Sequence, residues 1–335
     1  MPSRGSTLVT AMYGDRHRPF SRHGLYAILT ALCVFPLTTV AAQEPVTGNG
    51  DRVDCRYEGS GKAQTDSTGS TPLEPFPAND VFRPLLADPK QPRFFATWQA
   101  TRVRANNTSV NVASVGLGDN IGLLGRRNGC NGWQVGLLGG VFAQFNLDAP
   151  SFDLINADYV IGIPVSWRRG LFSTRVRLYH QSSHLGDEFL LGNPQFNRVN
   201  LSFEAIEAIV SLDTPGGWGR VYAGGSTLLH RDPRTLDRNG AQWGAELRGP
   251  TIVTPIVGRQ VPSLRLTPVF GADFKSFEEL SWIINSSIVG GLEWSKAGAD
   301  RRLSLLVNYY YGFVPYGQFF AQKIEMVGAG LYFSF

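Results

Sequence analysis

Val327-Gly-Ala-Gly-Leu-Tyr-Phe-Ser-Phe335 decides the fold class. Val327, Ala329, Leu331, Phe333 and Phe335 alternate with Gly328, Gly330, Tyr332 and Ser334. A period of two puts the first set on one face of a strand and the second on the other. The alternation recurs upstream. Trp133, Val135, Leu137, Gly139, Val141, Ala143 and Phe145 share a face. Ile155, Ala157, Tyr159, Ile161, Ile163, Val165 and Trp167 share another, with Asn156, Asp158 and Ser166 turned away. Leu303, Leu305, Val307, Tyr309, Tyr311 and Phe313 make a third. Strands are predicted near 93–103, 112–125, 132–146, 153–168, 171–184, 197–212, 218–230, 240–248, 262–274, 282–295, 302–313 and 323–335. That even number, about twelve, suits an antiparallel transmembrane β-barrel over 91–335, apolar outside and polar within. A soluble sandwich would bury the same apolar faces and wet the polar ones.

The N-terminus agrees. Arg16, Arg18 and Arg22 precede an apolar run from Leu25 to Val40, and Val40-Ala41-Ala42 offers small residues for cleavage. Residues 1–42 read as a signal peptide, too short in their apolar part for a good membrane span. Residues 43–90 are polar and rich in Gly, Ser, Thr and Pro, and read as a loosely packed periplasmic extension. Glycine contributes 38 residues and aromatics 12%, while charged residues are only 17%. Close strand contacts and aromatic girdles account for that balance. The net charge of +4 comes largely as doublets, Arg126-Arg127, Arg168-Arg169 and Arg301-Arg302, each expected at a turn where arginine snorkels to lipid phosphate. No nucleic-acid-binding motif is present.

A barrel strand closing on phenylalanine resembles the signal that the barrel-assembly machinery reads, carried here by Leu331, Phe333 and Phe335. The expected location is a Gram-negative-type outer membrane, with the C-terminus periplasmic and membrane lipids and lipopolysaccharide as surroundings. The turns at 126–131, 168–170, 213–217 and 296–300 are then periplasmic. The connections near 185–196, 231–239, 275–281 and 314–322 are extracellular. The stretch 249–261 is too long for this scheme. After signal removal Cys55 and Cys130 remain, both expected on the periplasmic side, where a disulfide is permitted. Two separate thiols are the alternative.

One stretch carries chemistry: Leu178-Tyr-His180-Gln-Ser182-Ser-His184-Leu-Gly-Asp187-Glu188, then Phe196-Asn197-Arg198. By parity His180 and Ser182 face lipid near the outer rim, where polar groups are costly without a role. Counting down the next strand from Asn197 puts Asn197, Val199, Leu201 and Phe203 outward. Glu204 then falls in the lumen, within reach of Arg175 or Arg177. A serine hydroxyl needs a base to become a nucleophile. His180 is placed to serve as base for Ser182, and Asn197, across from it, as the group that orients the imidazole.

His-x-Ser followed by aromatic-Asn-Arg resembles the active site of outer-membrane phospholipase A, a twelve-stranded barrel with a lipid-facing Ser–His–Asn site and calcium dependence. The pair is also similar to that of the outer-membrane lipid A deacylases. The resemblance implies His180 as base, Ser182 as nucleophile and Asn197 as orienter, with calcium as a cofactor. Asp187 and Glu188 are the carboxylates available for it. This chain continues with Ser183-His184-Leu185-Gly186 where phospholipase A has Asn-Gly-Arg. Over the mature chain, Pro84-Leu-Leu-Ala-Asp-Pro89 with Gln91-Pro-Arg-Phe94, and His180 to Glu188, resemble a family of bacterial outer-membrane proteins of unassigned function. Two classes stay open: an interfacial lipid ester hydrolase, and a non-enzymatic barrel acting as structural component, narrow pore or binding surface. The mixed-sign interior, including Asp158, Arg175, Arg177, Glu246 and Asp273, points to a packed polar lumen.

Overall fold

The computed structural model describes residues 71–196, 198–254, 264–296 and 301–334. The signal peptide, the first part of the extension, Cys55, Asn197, residues 255–261 and Phe335 lie outside these. The strands are β1 (Leu73–Pro75), β2 (Phe94–Val103), β3 (Ser109–Asn128), β4 (Asn131–Asn146), β5 (Leu154–Arg169), β6 (Phe172–Leu185), β7 (Leu201–Asp213), β8 (Gly219–Asp232), β9 (Asn239–Arg248), β10 (Ile252–Thr254), β11 (Leu264–Phe277), β12 (Ile284–Lys296), β13 (Arg302–Phe313) and β14 (Lys323–Ser334). One short helix, α1 (Asp187–Gly192), lies between β6 and β7.

Apart from the short β1 and β10, twelve strands pair antiparallel with their neighbours, and β14 pairs with both β13 and β2. The sheet therefore closes on itself and leaves no open edge in the wall. The alternation at the chain's end supplies this seam. Leu331 lies between Leu305 and Ala96, and Phe333 between Leu303 and Phe94. Leu331 points outward and Tyr332 is buried inside. Exposed aliphatic and aromatic side chains cover the outer wall, among them Leu137, Ile161, Ile163, Trp167, Val210, Phe270 and Leu305. No helix among the described residues is long and apolar enough to cross a membrane.

The stretch at 249–261 gains a partial account. After Gly249-Pro250, β10 continues the line of β9 and pairs with β11, Ile252 opposite Leu266. β10 thus covers the β9-facing side of the first residues of β11, whose other side pairs with β12, at the end that holds the short turns.

The extension differs from expectation. In its described part, 71–90, the chain does not lie loosely outside the barrel. β1 pairs with the lower part of β3, Leu73 opposite Arg126, below the start of β2. The chain then turns into the lumen, where Val81, Phe82, Leu85 and Ala87 are almost fully buried. Arg83 forms an ion pair with Asp213 of β7. Asp88 meets Lys275 of β11 at 2.7 Å, and Lys90 meets Asp158 of β5 at 2.5 Å. Arg220 of β8 donates to the carbonyls of Arg83 and Pro84 at 2.8 and 3.0 Å. The Leu86 amide donates to Glu246 of β9 at 2.7 Å. Residues 71–90 look loosely packed in sequence because much of what holds them is polar and distant along the chain. The polar inner wall holds them, and buried charges are tolerated where each finds a partner.

The arginine doublets also divide. Alternation turns one residue of a pair out and the other in. Arg168 bonds Asp213, and Arg302 bonds Glu293 at 2.6 Å. Arg127 donates to the carbonyls of Ala78 and Asn79 in the lumen segment. In β5 an extra residue interrupts the alternation: Gln144 faces Asn156, Phe145 faces Leu154, and Ile155 between them is buried. Ile155 is thus not on the outer face where strict parity places it.

Candidate functional site

The phase of β6 is as its sequence reads. Ser173, Arg175, Arg177, Gln181 and Ser183 are buried inside, while Val176 and Leu178 are exposed outside. His180 and Ser182 follow on the outer face, and His184 is exposed one step further along it. β7 has the opposite phase to that read from Asn197. Ile206, Val210 and Leu212 face out, and Leu201, Ala205, Glu207, Ile209 and Ser211 face in. Glu207, not Glu204, is the lumen partner of the β6 arginines, at 3.3 Å from Arg175 and 2.6 Å from Arg177.

Glu204 consequently stands on the outer wall. It lies across from His180 in the β6–β7 ladder, and His180 Nδ1 is 2.8 Å from Glu204 Oε1. The other carboxylate oxygen, Oε2, is 2.9 Å from Nδ1 of His230 on β8. Ser182 lies opposite Tyr159 of β5 and Ser202 of β7, and its hydroxyl has no hydrogen bond among the described residues. His184 packs edge-on against Tyr159, ring centroids 5.6 Å apart. All three histidines among the described residues therefore stand on one strip of outer wall across β6 to β8. The side chains of His180 and Glu204 are about 40% exposed, open to whatever covers that wall.

Sequence reading missed Glu204 and His230 here. Counting upward from the β7–β8 turn would have found the first: the outward run Leu212, Val210, Ala208, Ile206 leads to Glu204. The count down from Asn197 failed because residues 198–200 are not strand, and because Leu201 and Phe203 are apolar residues facing inward. His230 belongs to the patch only through a strand pairing that no local pattern announces.

The rest of the His180–Glu188 motif holds the loop in place. Ser183 donates to Asp158 at 2.6 Å inside the lumen. The Gly186 amide donates to the Ile155 carbonyl, and a Cβ at Gly186 would lie 1.8 Å from the Leu154 carbonyl oxygen. Phe189 of α1 stacks edge-on with Phe196 and with Phe319 of the β13–β14 loop, centroids 5.3 and 5.5 Å apart. The Gly317 amide donates to Asp158 at 3.0 Å. These two loops thereby close over that end of the lumen. Asp187 and Glu188 are exposed neighbours in the first turn of α1. Calcium takes six to eight oxygen ligands. Among the described residues no group of three acidic, histidine or cysteine side chains is arranged to hold a metal, and Asp187 and Glu188 offer two carboxylates. Cys130 is buried in the β3–β4 turn.

Fold and site together define a closed twelve-stranded barrel with a membrane-type outer wall, a lumen entered by the segment 76–92 and a polar His–Glu–His strip on its outside. The chain belongs to the DUF1207 family, described as proteins of unknown function, whose model matches residues 39–335. No curated protein matches it. Among solved structures it is similar to outer membrane phospholipase A from Escherichia coli, at 12% identity, covering 75% of this chain and 93% of that one, with a TM-score of 0.47. It is also similar to LpxR from Salmonella typhimurium, at 10% identity, 72% and 100% coverage and a TM-score of 0.36. A third is the beta domain of the Bordetella autotransporter BrkA, at 15% identity, 72% and 97% coverage and a TM-score of 0.37. Likeness at this level speaks to neither substrate nor mechanism.

Proposed function

We propose that this chain is an integral barrel of a bacterial outer membrane, C-terminus periplasmic, that cleaves lipid esters at its outer wall. The exposed aliphatic band fits a hydrocarbon surround, and the barrel-assembly machinery would read the Leu331–Phe335 end. Ser182 is the nucleophile and His180 the base. Glu204 takes the orienting place that the sequence pattern assigned to Asn197.

The observation that carries this reading is the 2.8 Å contact between His180 Nδ1 and Glu204, on the face that also carries Ser182 two residues away. A carboxylate at Nδ1 fixes the tautomer that leaves Nε2 free to take a proton. In the reaction His180 Nε2 accepts the Ser182 proton, Oγ attacks the ester carbonyl, and the alcohol half of the lipid leaves carrying that proton. Water then attacks the acyl-serine, with His180 again the base, and releases a fatty acid. Glu204 stabilises the imidazolium formed in each step. No step is routed through calcium.

Purified full-length protein in mixed detergent–phospholipid micelles, and separately on lipopolysaccharide, is expected to release fatty acid, and Ser182→Ala to abolish release. An inactive wild type on both substrates, or full activity in Ser182→Ala, would sink the enzyme reading. A second reading has its own support. Glu204 is shared with His230, and the Ser182 hydroxyl is not bonded to His180. A non-enzymatic barrel would use that strip to hold lipid headgroups at the rim.

A further inference from the structure

A second site lies inside the barrel, separate from the outer-wall strip. The lumen segment and the closing loops do not fill the interior completely. Between them is a cavity of about 230 Å³. Pro89 and Lys90 of the lumen segment border it on one side, and the loops between β8 and β9 and between β11 and β12 on the other. Its walls are largely apolar, with Leu201, Phe203, Leu228, Leu236, Phe313 and Phe320 among them.

The polar groups that reach this space differ in how they are satisfied. Arg177 is paired with Glu207, Lys275 with Asp88, and Lys90 with Asp158. Asp273 is not in an ion pair among the described residues, although only 1% of it is exposed. Tyr222 donates to its Oδ2 at 2.7 Å and Gln242 to the same oxygen at 2.7 Å. Oδ1 receives no hydrogen bond from the described residues. The Tyr179 hydroxyl and the Gln181 amide also line the cavity and are also without a side-chain hydrogen bond there. These three groups border the open space of the cavity, so a ligand there can meet them. An apolar pocket with a few unsatisfied polar groups is the usual form of a small-molecule site.

We propose that this cavity binds a small amphiphile whose polar end donates hydrogen bonds. A hydroxyl or amine meets Asp273 Oδ1, and an apolar chain or ring lies along Phe203, Leu228 and Leu236. An anionic head is disfavoured because the Asp273 carboxyl would face it. The ligand enters beside the loops 233–238 and 278–283.

The test uses native mass spectrometry of the full chain stripped of detergent, after incubation with decanol, decylamine or decanoate. Wild type is expected to retain one molecule of decanol or decylamine and at least tenfold less decanoate. Asp273→Val removes the acceptor and Ser226→Phe fills the cavity from β8; each is expected to lower retention at least tenfold. Heat-modifiable migration on a gel checks that both variants are folded, and Ser182→Ala, on the outer wall, should retain the ligand like wild type. Equal retention in wild type and both cavity variants would place the ligand on the outer wall and overturn the proposal. Retention of decanoate equal to that of the other probes, or of none of the three, would overturn it as well.

Discussion

His180 of β6 and Glu204 of β7 stand directly across from one another on the outer wall, with Nδ1 and Oε1 2.8 Å apart. The contact predicts a hierarchy among variants. Glu204→Gln keeps the size of the side chain but can offer His180 either its oxygen or its amide, so the wrong tautomer becomes accessible. Fatty-acid release should fall by roughly 10² to 10⁴-fold, the scale on which loss of the orienting carboxylate acts in a serine–histidine triad. His180→Ala should cost about as much as Ser182→Ala, since members of such a unit fail together. His230→Ala leaves the Glu204–His180 contact in place and should cost far less. If Glu204→Gln is as active as wild type while Asn197→Ala is impaired, the orienter is Asn197 after all.

Much of this was legible in the sequence. Alternation in β4, β5, β13 and β14 pointed to a membrane barrel, and that of Phe172, Thr174, Val176 and Leu178 in β6 to the outward phase of His180 and Ser182, because a lipid-facing strand leaves a clean period of two. It failed where the usual assignment of faces is reversed. At the upper end of β7 the apolar Leu201 and Phe203 line an interior cavity while the polar Ser202 and Glu204 face out, so the phase of Glu204 could not be read there. The lumen segment was hidden for another reason. Arg83, Asp88 and Lys90 look like solvated charges in the sequence, and their partners Asp213, Lys275 and Asp158 lie far along the chain.

Asp213 joins two such arginines, Arg83 from the lumen segment and Arg168 from β5. All three side chains are nearly inaccessible. Asp213→Ala takes that carboxylate from both guanidinium groups, and breaking one side of a buried pair costs about 3–5 kcal/mol. The temperature at which the folded band converts to the unfolded band on a gel should drop clearly, while Glu74→Ala, on the exposed β1, should leave it unchanged. An Asp213→Ala barrel that converts at the wild-type temperature would mean the segment is fastened elsewhere.

Cys130 is buried in the β3–β4 turn, at the end of the barrel where the lumen segment enters. A bridge from Cys55 to Cys130 would tether the preceding chain to that turn. Mature protein denatured without reductant should then show no labelled thiol, and two after reduction. Two thiols labelled before reduction would remove the bridge. Cys130→Ser should expose Cys55 to labelling.

The lumen segment stands between two spaces. On one side is the cavity of about 230 Å³, and on the other a larger one of about 1140 Å³ lined by Pro77, Arg83, Leu86, Gln91 and Arg93. Residues 84–92 separate them, held by Lys90 to β5, Asp88 to β11 and the Leu86 amide to β9. An inner wall rich in Arg, Lys, Asp and Glu would be wetted once the segment left it. The full chain in a planar bilayer should therefore conduct little. A variant lacking residues 76–92 should give stable ion-permeable openings if it still assembles as a heat-modifiable barrel. Lys90→Ala with Asp88→Ala loosens the segment without deleting it, and should give brief openings between those extremes. A wild type that already conducts as much as the deletion would show that the segment does not close the lumen. A deletion variant that assembles yet stays closed would assign closure to the loops carrying Phe189, Phe196 and Phe319 instead.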